Sequence, residues 1–346
     1  MIRRHQRRPL AIAGLAFALT TALATGVVAQ SPSPTVAPTP TPFVPAPGAV
    51  TIVGYSTPRE AYSQLSEAFQ ATDAGKDVQF ETSFGASGDQ SRAVAAGLLA
   101  DYVAFSLETD MTRLVDAGIV APDWNAGTNK GFVTDSVVTF VVRPGNPKGI
   151  KTWDDLIRPD VTVVTPNPST SGSARWNILA GYGAKLLKEG KTEAEATAYL
   201  TELFKHIVVQ DKSGRDALNT FIAGQGDVLL SYENEAITAQ QAQQAVDYVI
   251  PDNTILIQNP AAVTLNGDAV VPAKAFLDYV LSPAGQTLFG NLGYRPVDPT
   301  VLSTFTNFPT PPGLFTIDDL GGWPAVAAKF FDKDTGIVTQ IQNAQP

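Results

Sequence analysis

From Ala49 onward, short apolar runs alternate with stretches of helical periodicity, and this alternation restricts the possible folds more than any other feature of the sequence. The runs AVTIVGY, VQFETS and DYVAFS have the length and composition of buried strands. Residues 58–70 and 89–99, which separate these runs, place apolar and small side chains on one helical face. The beginning of the folded chain therefore predicts the order β-α-β-α-β, which is typical of an α/β domain.

A second series of strands and helices begins with the apolar run VTDSVVTFVVRPGNP, which we expect to form a long strand ending at Pro144. Beyond Pro260 the chain returns to one strand and two helices, residues 272–281 and 283–289. Two units joined by extended strands predict an α/β fold of two lobes that face each other across a cleft. The predicted boundaries are 49–133 and 260–346 for lobe 1 and 134–259 for lobe 2, with a hinge near Val133–Val142 and Gln258–Leu265.

The N-terminus has the pattern of a secretory signal. Several arginines among the first eight residues precede an uncharged stretch from Pro9 to Ala29, and small residues occupy the positions that signal peptidase recognises. We predict that residues 1–29 are a signal peptide removed after Ala29. The stretch is also long enough to span a bilayer, so a retained anchor is the alternative.

The next segment, residues 30–48, is rich in Pro, Ser and Thr and is predicted to be an extended spacer without a core. Such a spacer holds a domain away from a surface, or remains as a tail after cleavage. Signal and spacer together predict an exported protein that is periplasmic or associated with the cell surface.

The composition of the chain excludes several classes of function. The net charge of -9 argues against binding to nucleic acid or to an anionic membrane surface. The chain has no cysteine and only two histidines, His5 and His206, so it lacks the material for disulfides, thiolate metal sites and imidazole clusters. We therefore predict no metal and no cofactor, and composition favours binding over catalysis.

Three loops combine small or hydroxylated residues with the predicted start of a helix. A helix start presents unpaired N–H groups and the positive end of the helix dipole, and can hold an anion without a cationic partner. The alternative is that Ser87, Ser171 and Ser213 are ordinary helix caps. The loops are Phe84-Gly85-Ala86-Ser87-Gly88, Ser169-Thr170-Ser171-Gly172-Ser173 and Lys212-Ser213-Gly214.

A catalytic interpretation has weaker support. The segment from Gly85 to Asp89 differs from the G-x-S-x-G motif at its fifth position, and His206 is the candidate base for a hydrolase that uses Ser87 or Ser171. No phosphate-binding or dinucleotide-binding glycine motif is present. Acidic residues that could hold a metal, namely Asp110, Asp116, Glu233 and Glu235, match no defined metal-binding loop.

Several motifs occur in an order that resembles the periplasmic sulfate-binding proteins, the sulfate/thiosulfate receptors of ABC importers. The resemblance extends from about Val50 to Trp323, and its specific part is the combination of TPNP with SGSARWN. The motifs are YSTPRE at 55–60, GASG at 85–88, VRPGNPKGI at 142–150, TPNP at 165–168, SGSARWN at 171–177, GDVLL at 226–230, ENEA at 233–236, FTID at 315–318 and GGW at 321–323.

The resemblance implies the type II periplasmic binding protein fold, with a dehydrated dianion between the lobes, held by neutral donors. The implied contacts are the Ser56 N–H, the Ser87 hydroxyl and N–H, the nest of Ser171, Gly172 and Ser173, the Gly214 N–H and the Tyr232 phenol. Three positions depart from the family: Tyr232 stands where the family has an indole, Ser56 replaces an Asp and Ser173 replaces a Gly. Four arginines near helix starts, Arg59, Arg92, Arg175 and Arg215, are expected to lie outside the ligand contacts, and Tyr55 and Trp176 to be wall and core residues.

The resemblance further implies a monomeric receptor that closes on sulfate or thiosulfate and delivers it to an ABC permease. Alternatives within this class are receptors for molybdate or phosphate, with Tyr232 as the discriminating residue. Alternatives from other classes are the exported hydrolase described above and a surface-bound sensor or adhesion module.

Overall fold

The computed structural model describes residues 48–345, so the predicted signal peptide and all but the last residue of the predicted spacer lie outside it. Strands and helices alternate along this part of the chain, which confirms the predicted α/β class. The strands are β1 Val50–Tyr55, β2 Phe80–Gly85, β3 Tyr102–Ala104, β4 Phe132–Val142, β5 Val163–Pro166, β6 Ile207–Asp211, β7 Val228–Tyr232, β8 Asp247–Val249, β9 Asn253–Val263, β10 Arg295–Pro296 and β11 Gly313–Phe315.

The helices bury one face each against these strands or against one another. None of the helices in residues 48–345 is long and apolar enough to cross a membrane. The helices are α1 Arg59–Gln70, α2 Ser87–Ala95, α3 Glu108–Asp116, α4 Gly172–Gly183, α5 Glu193–His206, α6 Gly214–Ile222, α7 Glu233–Gln241, α8 Val270–Leu281, α9 Pro283–Asn291, α10 Pro299–Leu302, α11 Gly322–Phe331 and α12 Ile337–Asn343.

Two long antiparallel strands, β4 and β9, connect two groups of strands in the order β2-β1-β3-β9-β4-β7-β5-β6. The first part of β4 pairs with Leu256–Pro260 of β9. Beyond this region β4 continues along β7 through Val138–Val142, whereas β9 continues along β3 through Ala261–Val263. The two strands therefore pair with each other and then pass into opposite groups, as expected for crossing strands.

Some predicted elements need correction. Helix α2 begins at Ser87, two residues before the predicted start, because the Gln90 N–H already bonds to the Ala86 carbonyl. It ends at Ala95, short of Leu99, because Gly97 takes a left-handed φ of 107°. Strand β9 begins at Asn253, well before the predicted strand, since Pro260 lies within the ladder and does not end it.

Helices α3 and α5 were absent from the predicted order. For α5 the sequence does contain a start signal, because Thr192 and Glu195 form a capping box. For α3 the buried face is short and includes a carboxylate, Asp110, beside Met111 and Leu114, so its periodicity is hard to recognise.

The C-terminal helices join the core that contains α4 and α5. Trp323 of α11 packs edge-on against Trp176 with ring centroids 4.7 Å apart, and Phe330 packs in the same way against Tyr182. A separate core lies beneath α1, α8 and α9, where Tyr62 and Phe276 are buried. The lobe boundaries stay a prediction, in which residues 260–346 belong to lobe 1.

Candidate functional site

Three residues singled out in the sequence, Ser87, Trp176 and Tyr232, all contact Ser106, a residue that belongs to none of the sequence motifs. Ser106 follows β3 and is fully buried. Its hydroxyl oxygen lies 2.7 Å from the Tyr232 phenol oxygen, and its N–H donates to the Ser87 hydroxyl oxygen over 2.9 Å. Its carbonyl accepts from the Trp176 indole N–H over 2.9 Å. A lone serine after a strand belongs to no motif, and only the fold reveals its position.

At the start of α2, Ser87 is buried and its hydroxyl is already committed to the protein. The hydroxyl donates to Asp110 Oδ2 over 2.7 Å and accepts from the Ser106 N–H. The next N–H, that of Gly88, donates to the Thr170 carbonyl over 3.1 Å. Because the first N–H groups of a helix have no acceptor within the helix, the backbone N–H of Ser87 is the donor that this residue offers to a ligand.

At the start of α4, Ser171 is the residue before the helix, and its side chain does not cap the helix. Its hydroxyl oxygen lies 2.8 Å from that of Ser173, and both serines are buried. Between them, Gly172 packs so closely on Ser106 that a β-carbon at this position would lie 2.6 Å from the Ser106 hydroxyl oxygen. The Ser171 N–H is already bonded to the Asn167 carbonyl over 2.8 Å. The N–H groups of Gly172 and Ser173, which have no acceptor within the helix, are the backbone donors that this helix start offers.

The start of α6 lies beside the start of α4. A β-carbon at Gly214 would be 2.8 Å from the Ser173 hydroxyl oxygen. The next N–H, that of Arg215, points to the Ser56 hydroxyl oxygen at 3.4 Å. In contrast to Ser171, Ser213 is a true cap, since its side chain accepts from the Asp216 N–H. The predicted residues Ser56, Ser173 and Gly214 are thus brought together.

Tyr232 ends β7 and is fully buried. Burial, which has the largest effect, raises the pKa of its phenol well above the ordinary value, so the group is neutral. The neighbouring Ser106 and Asn259 side chains oppose this rise. Two further buried hydroxyls, Tyr55 Oη and Thr57 Oγ1, have no hydrogen-bond partner within the described residues. Since buried hydroxyls are normally paired, these groups indicate a polar region that can accept a ligand.

Each of the four arginines near the helix starts is bonded to a protein acceptor. Arg215 binds the fully buried Glu235 through two bonds of 3.0 and 2.6 Å and also donates to the Thr57 carbonyl. Burial raises the pKa of Glu235, and the attraction of Arg215 opposes this effect. The other three are paired as follows: Arg59 with the Phe84 carbonyl, Arg92 with Asp89, and Arg175 with the Pro168 carbonyl.

The candidate catalytic and metal-binding groups are engaged in other contacts. The His206 ring lies 3.1 Å from the Val161 carbonyl and 3.6 Å from Glu202, so it hydrogen-bonds neither Ser87 nor Ser171. Two of the acids considered for a metal are paired with arginines, Glu233 with Arg295 and Asp110 with Arg113. The described residues contain no group of three or more histidines and acids positioned to bind a metal ion.

Comparisons with known proteins identify the family of the chain. The family model "Bacterial extracellular solute-binding protein" matches residues 50–295. A sulfate-binding protein of Synechococcus elongatus is 42% identical over 309 residues, which cover 85% of this chain and 87% of the relative. A thiosulfate-binding protein of Pseudomonas aeruginosa is 35% identical over 305 residues, which cover 84% and 90% of the two chains. The solved structure of the sulfate-binding protein SubI from Mycobacterium tuberculosis superposes with a TM-score of 0.80 at 46% identity and covers 82% of this chain and 99% of SubI.

Proposed function

The chain belongs to the bacterial extracellular solute-binding proteins, and from this membership we propose that it captures sulfate or thiosulfate and delivers the anion to the permease of an ABC transporter. The relatives named for sulfate or thiosulfate binding span nearly all of the described chain. Their likeness also confirms the predicted two-lobed periplasmic binding protein fold.

One observation carries the proposal: three helix starts meet in a buried space whose nearby charges are already paired. The starts of α4 and α6 touch at Ser173 and Gly214, and Ser106 connects the start of α2 to that of α4. The nearby guanidinium of Arg215 is neutralised by Glu235. Such a space suits an anion that is held by neutral donors and helix dipoles.

The proposed donors come from both groups of strands. Those on the side of β1 and β3 are the N–H groups of Ser56 and Ser87. Those on the other side are the hydroxyls of Ser171 and Ser173, the N–H groups of Gly172, Ser173 and Gly214, and the phenol of Tyr232. The Ser171 N–H is not among them, because it donates to the Asn167 carbonyl. Because the Ser87 hydroxyl donates to Asp110, we assign only the N–H of this residue to the anion.

Closure of the two lobes is the proposed mechanism. Neither set of donors alone surrounds a tetrahedral anion, so the ligand binds the closed form more tightly and shifts the equilibrium toward it. The two sides touch directly in this structure, where the Gly88 N–H donates to the Thr170 carbonyl over 3.1 Å and Asp89 pairs with Lys212 at 3.1 Å. β4 and β9 are the proposed hinge.

The proposal places the protein outside the cytoplasm, as a monomer that binds no nucleic acid. It also makes the protein a receptor and not an enzyme. Support comes from the relatives, which are named for binding, and from the separation of His206 from the Ser87 and Ser171 hydroxyls, each of which has another partner.

Calorimetric titration of the purified protein with sulfate, thiosulfate, molybdate and phosphate tests the proposal. We expect sub-micromolar binding of sulfate or thiosulfate that weakens at least about tenfold in Ser171→Ala, since a charge-assisted hydrogen bond is lost. Ser66→Ala is the matched control, because it removes a buried hydroxyl that lies in α1. Tight binding of molybdate or phosphate alone would assign the protein to another oxyanion. Absence of binding to all four anions would refute the proposal.

A further inference from the structure

We propose that Asp110 is a positioning residue for anion binding, because it holds the Ser87 hydroxyl and thereby keeps the Ser87 N–H in place for the ligand. The inference rests on the proposed function and deepens it. Asp110 lies in α3 and belongs to none of the motifs that resemble the family. Its carboxylate acts through Ser87 and not on the anion itself.

The Asp110 carboxylate is buried, and each of its oxygens has a defined partner. Oδ2 accepts from the Ser87 hydroxyl over 2.7 Å, and Oδ1 accepts from the Arg113 guanidinium over 2.8 Å. An ionised carboxylate has no proton to donate, so the hydroxyl must be the donor in its contact with Oδ2. The single proton of the Ser87 hydroxyl is therefore given to Asp110.

Neighbouring hydrogen bonds tie a second turn of α2 to the same place on α3. Ser91 follows Ser87 by one helical turn and is fully buried. Its hydroxyl donates to the Asp110 carbonyl over 2.7 Å, and its oxygen accepts from Arg113 over 2.8 Å. A rotation of α2 about its own axis would break the contacts of both serines. Asp110 and Arg113 thus fix the direction in which the start of α2 points.

The Ser87 hydroxyl also connects α2 to the place where the two groups of strands meet. Its oxygen accepts from the Ser106 N–H over 2.9 Å, and Gly172 packs directly on Ser106. Because its proton is given to Asp110, this hydroxyl cannot also donate to an anion. The backbone N–H of Ser87, which has no acceptor within the helix, is the group that remains for the ligand.

Calorimetric titration with sulfate and thiosulfate in two backgrounds tests the inference. Asp110→Ala, Asp110→Leu and Asp110→Asn are prepared in the wild-type protein, and the first two also in Ser87→Ala. Asp116→Ala is the matched control, because it removes an exposed carboxylate from the same helix. Thermal unfolding verifies that each protein is folded. Asp110→Leu fills the space of the carboxylate with an apolar side chain, so the test survives if Asp110→Ala does not fold.

We expect Asp110→Ala and Asp110→Leu to weaken anion binding at least about tenfold, because the Ser87 hydroxyl loses its acceptor. Asp110→Asn should stay within about threefold of the wild-type affinity, since an amide oxygen still accepts from the hydroxyl. In the Ser87→Ala background, Asp110→Ala and Asp110→Leu should weaken binding by less than about twofold, because the group through which Asp110 acts is already missing. Asp116→Ala should leave the affinity unchanged.

Two results would overturn the inference alone. Equal losses of affinity in the two backgrounds would show that Asp110 acts through packing and not through Ser87. Unchanged affinity of the folded Asp110→Ala or Asp110→Leu variant would show that the carboxylate has no part in binding. A wild-type protein that binds neither sulfate nor thiosulfate overturns the proposed function and this inference with it.

Discussion

Gly172 and Ser106 lie so close together that a β-carbon on residue 172 would be 2.6 Å from both the Cβ and the hydroxyl oxygen of Ser106. The two residues belong to opposite groups of strands: Ser106 follows β3, and Gly172 begins α4. Contact between the two sides therefore depends on the absence of a side chain at one position. This relationship makes closure sensitive to a single methyl group.

Gly172→Ala should weaken sulfate binding by at least about tenfold, because the added methyl group overlaps Ser106 and Leu107 when the two sides meet. Calorimetry measures the affinity, and small-angle scattering measures compaction on addition of sulfate. The control is Gly127→Ala, where a β-carbon would meet nothing within 4 Å. Unchanged affinity in Gly172→Ala would show that the closed contact is not needed for binding.

Arg215→Ala should destabilise the fold by about 3 kcal/mol, because it leaves the fully buried Glu235 without its partner. Urea unfolding measures the change. The comparison variant is Arg92→Ala, whose exposed pair with Asp89 should contribute less than about 1 kcal/mol. Equal losses in the two variants would contradict the role given to the buried pair.

Asp135→Asn should have an effect on stability that depends on pH. Burial raises the Asp135 pKa from 3.8 to about 7, an effect that Arg295 opposes. The folded protein therefore holds this proton more tightly than the unfolded chain, and the acid lowers stability progressively as the pH rises from about 4 through 7.

The expected stabilisation by Asp135→Asn is about 4 kcal/mol at about pH 8 and less than about 1 kcal/mol at about pH 4. Urea unfolding of the variant and the wild-type protein at both pH values measures it. A stabilisation of the same size at both values would mean that the Asp135 carboxyl does not titrate differently in the folded and unfolded states.

Lys212→Ala should accelerate sulfate release only slightly, by less than about fivefold, because its pair with Asp89 across the two sides is exposed. The effect should disappear at high ionic strength, where exposed charges are screened. Stopped-flow measurement of release at low and high salt tests this. An acceleration that persists at high salt would point to a packing role for the Lys212 side chain.

The fold was largely predictable from the sequence, since strand and helix periodicities alternate and the long runs around Val133–Val142 indicated the connecting strands. Boundaries were less predictable. Helix α2 begins at Ser87 and strand β9 at Asn253, both earlier than predicted. The backbone hydrogen bonds of the folded chain decide where each element begins. Helix α5 went unpredicted although Thr192 and Glu195 form its capping box.

For the site, the sequence by itself indicated that the loops containing Ser87, Ser171 and Gly214 lie at helix starts, because small and hydroxylated residues before a helical pattern can be recognised locally. The tertiary structure alone decided how their hydroxyls are used. Ser106 meets Tyr232 across 126 positions, and this contact depends on how the two groups of strands pack. Hydrogen-bond partners chosen over such distances follow from strand pairing and packing, which no local pattern of residues encodes.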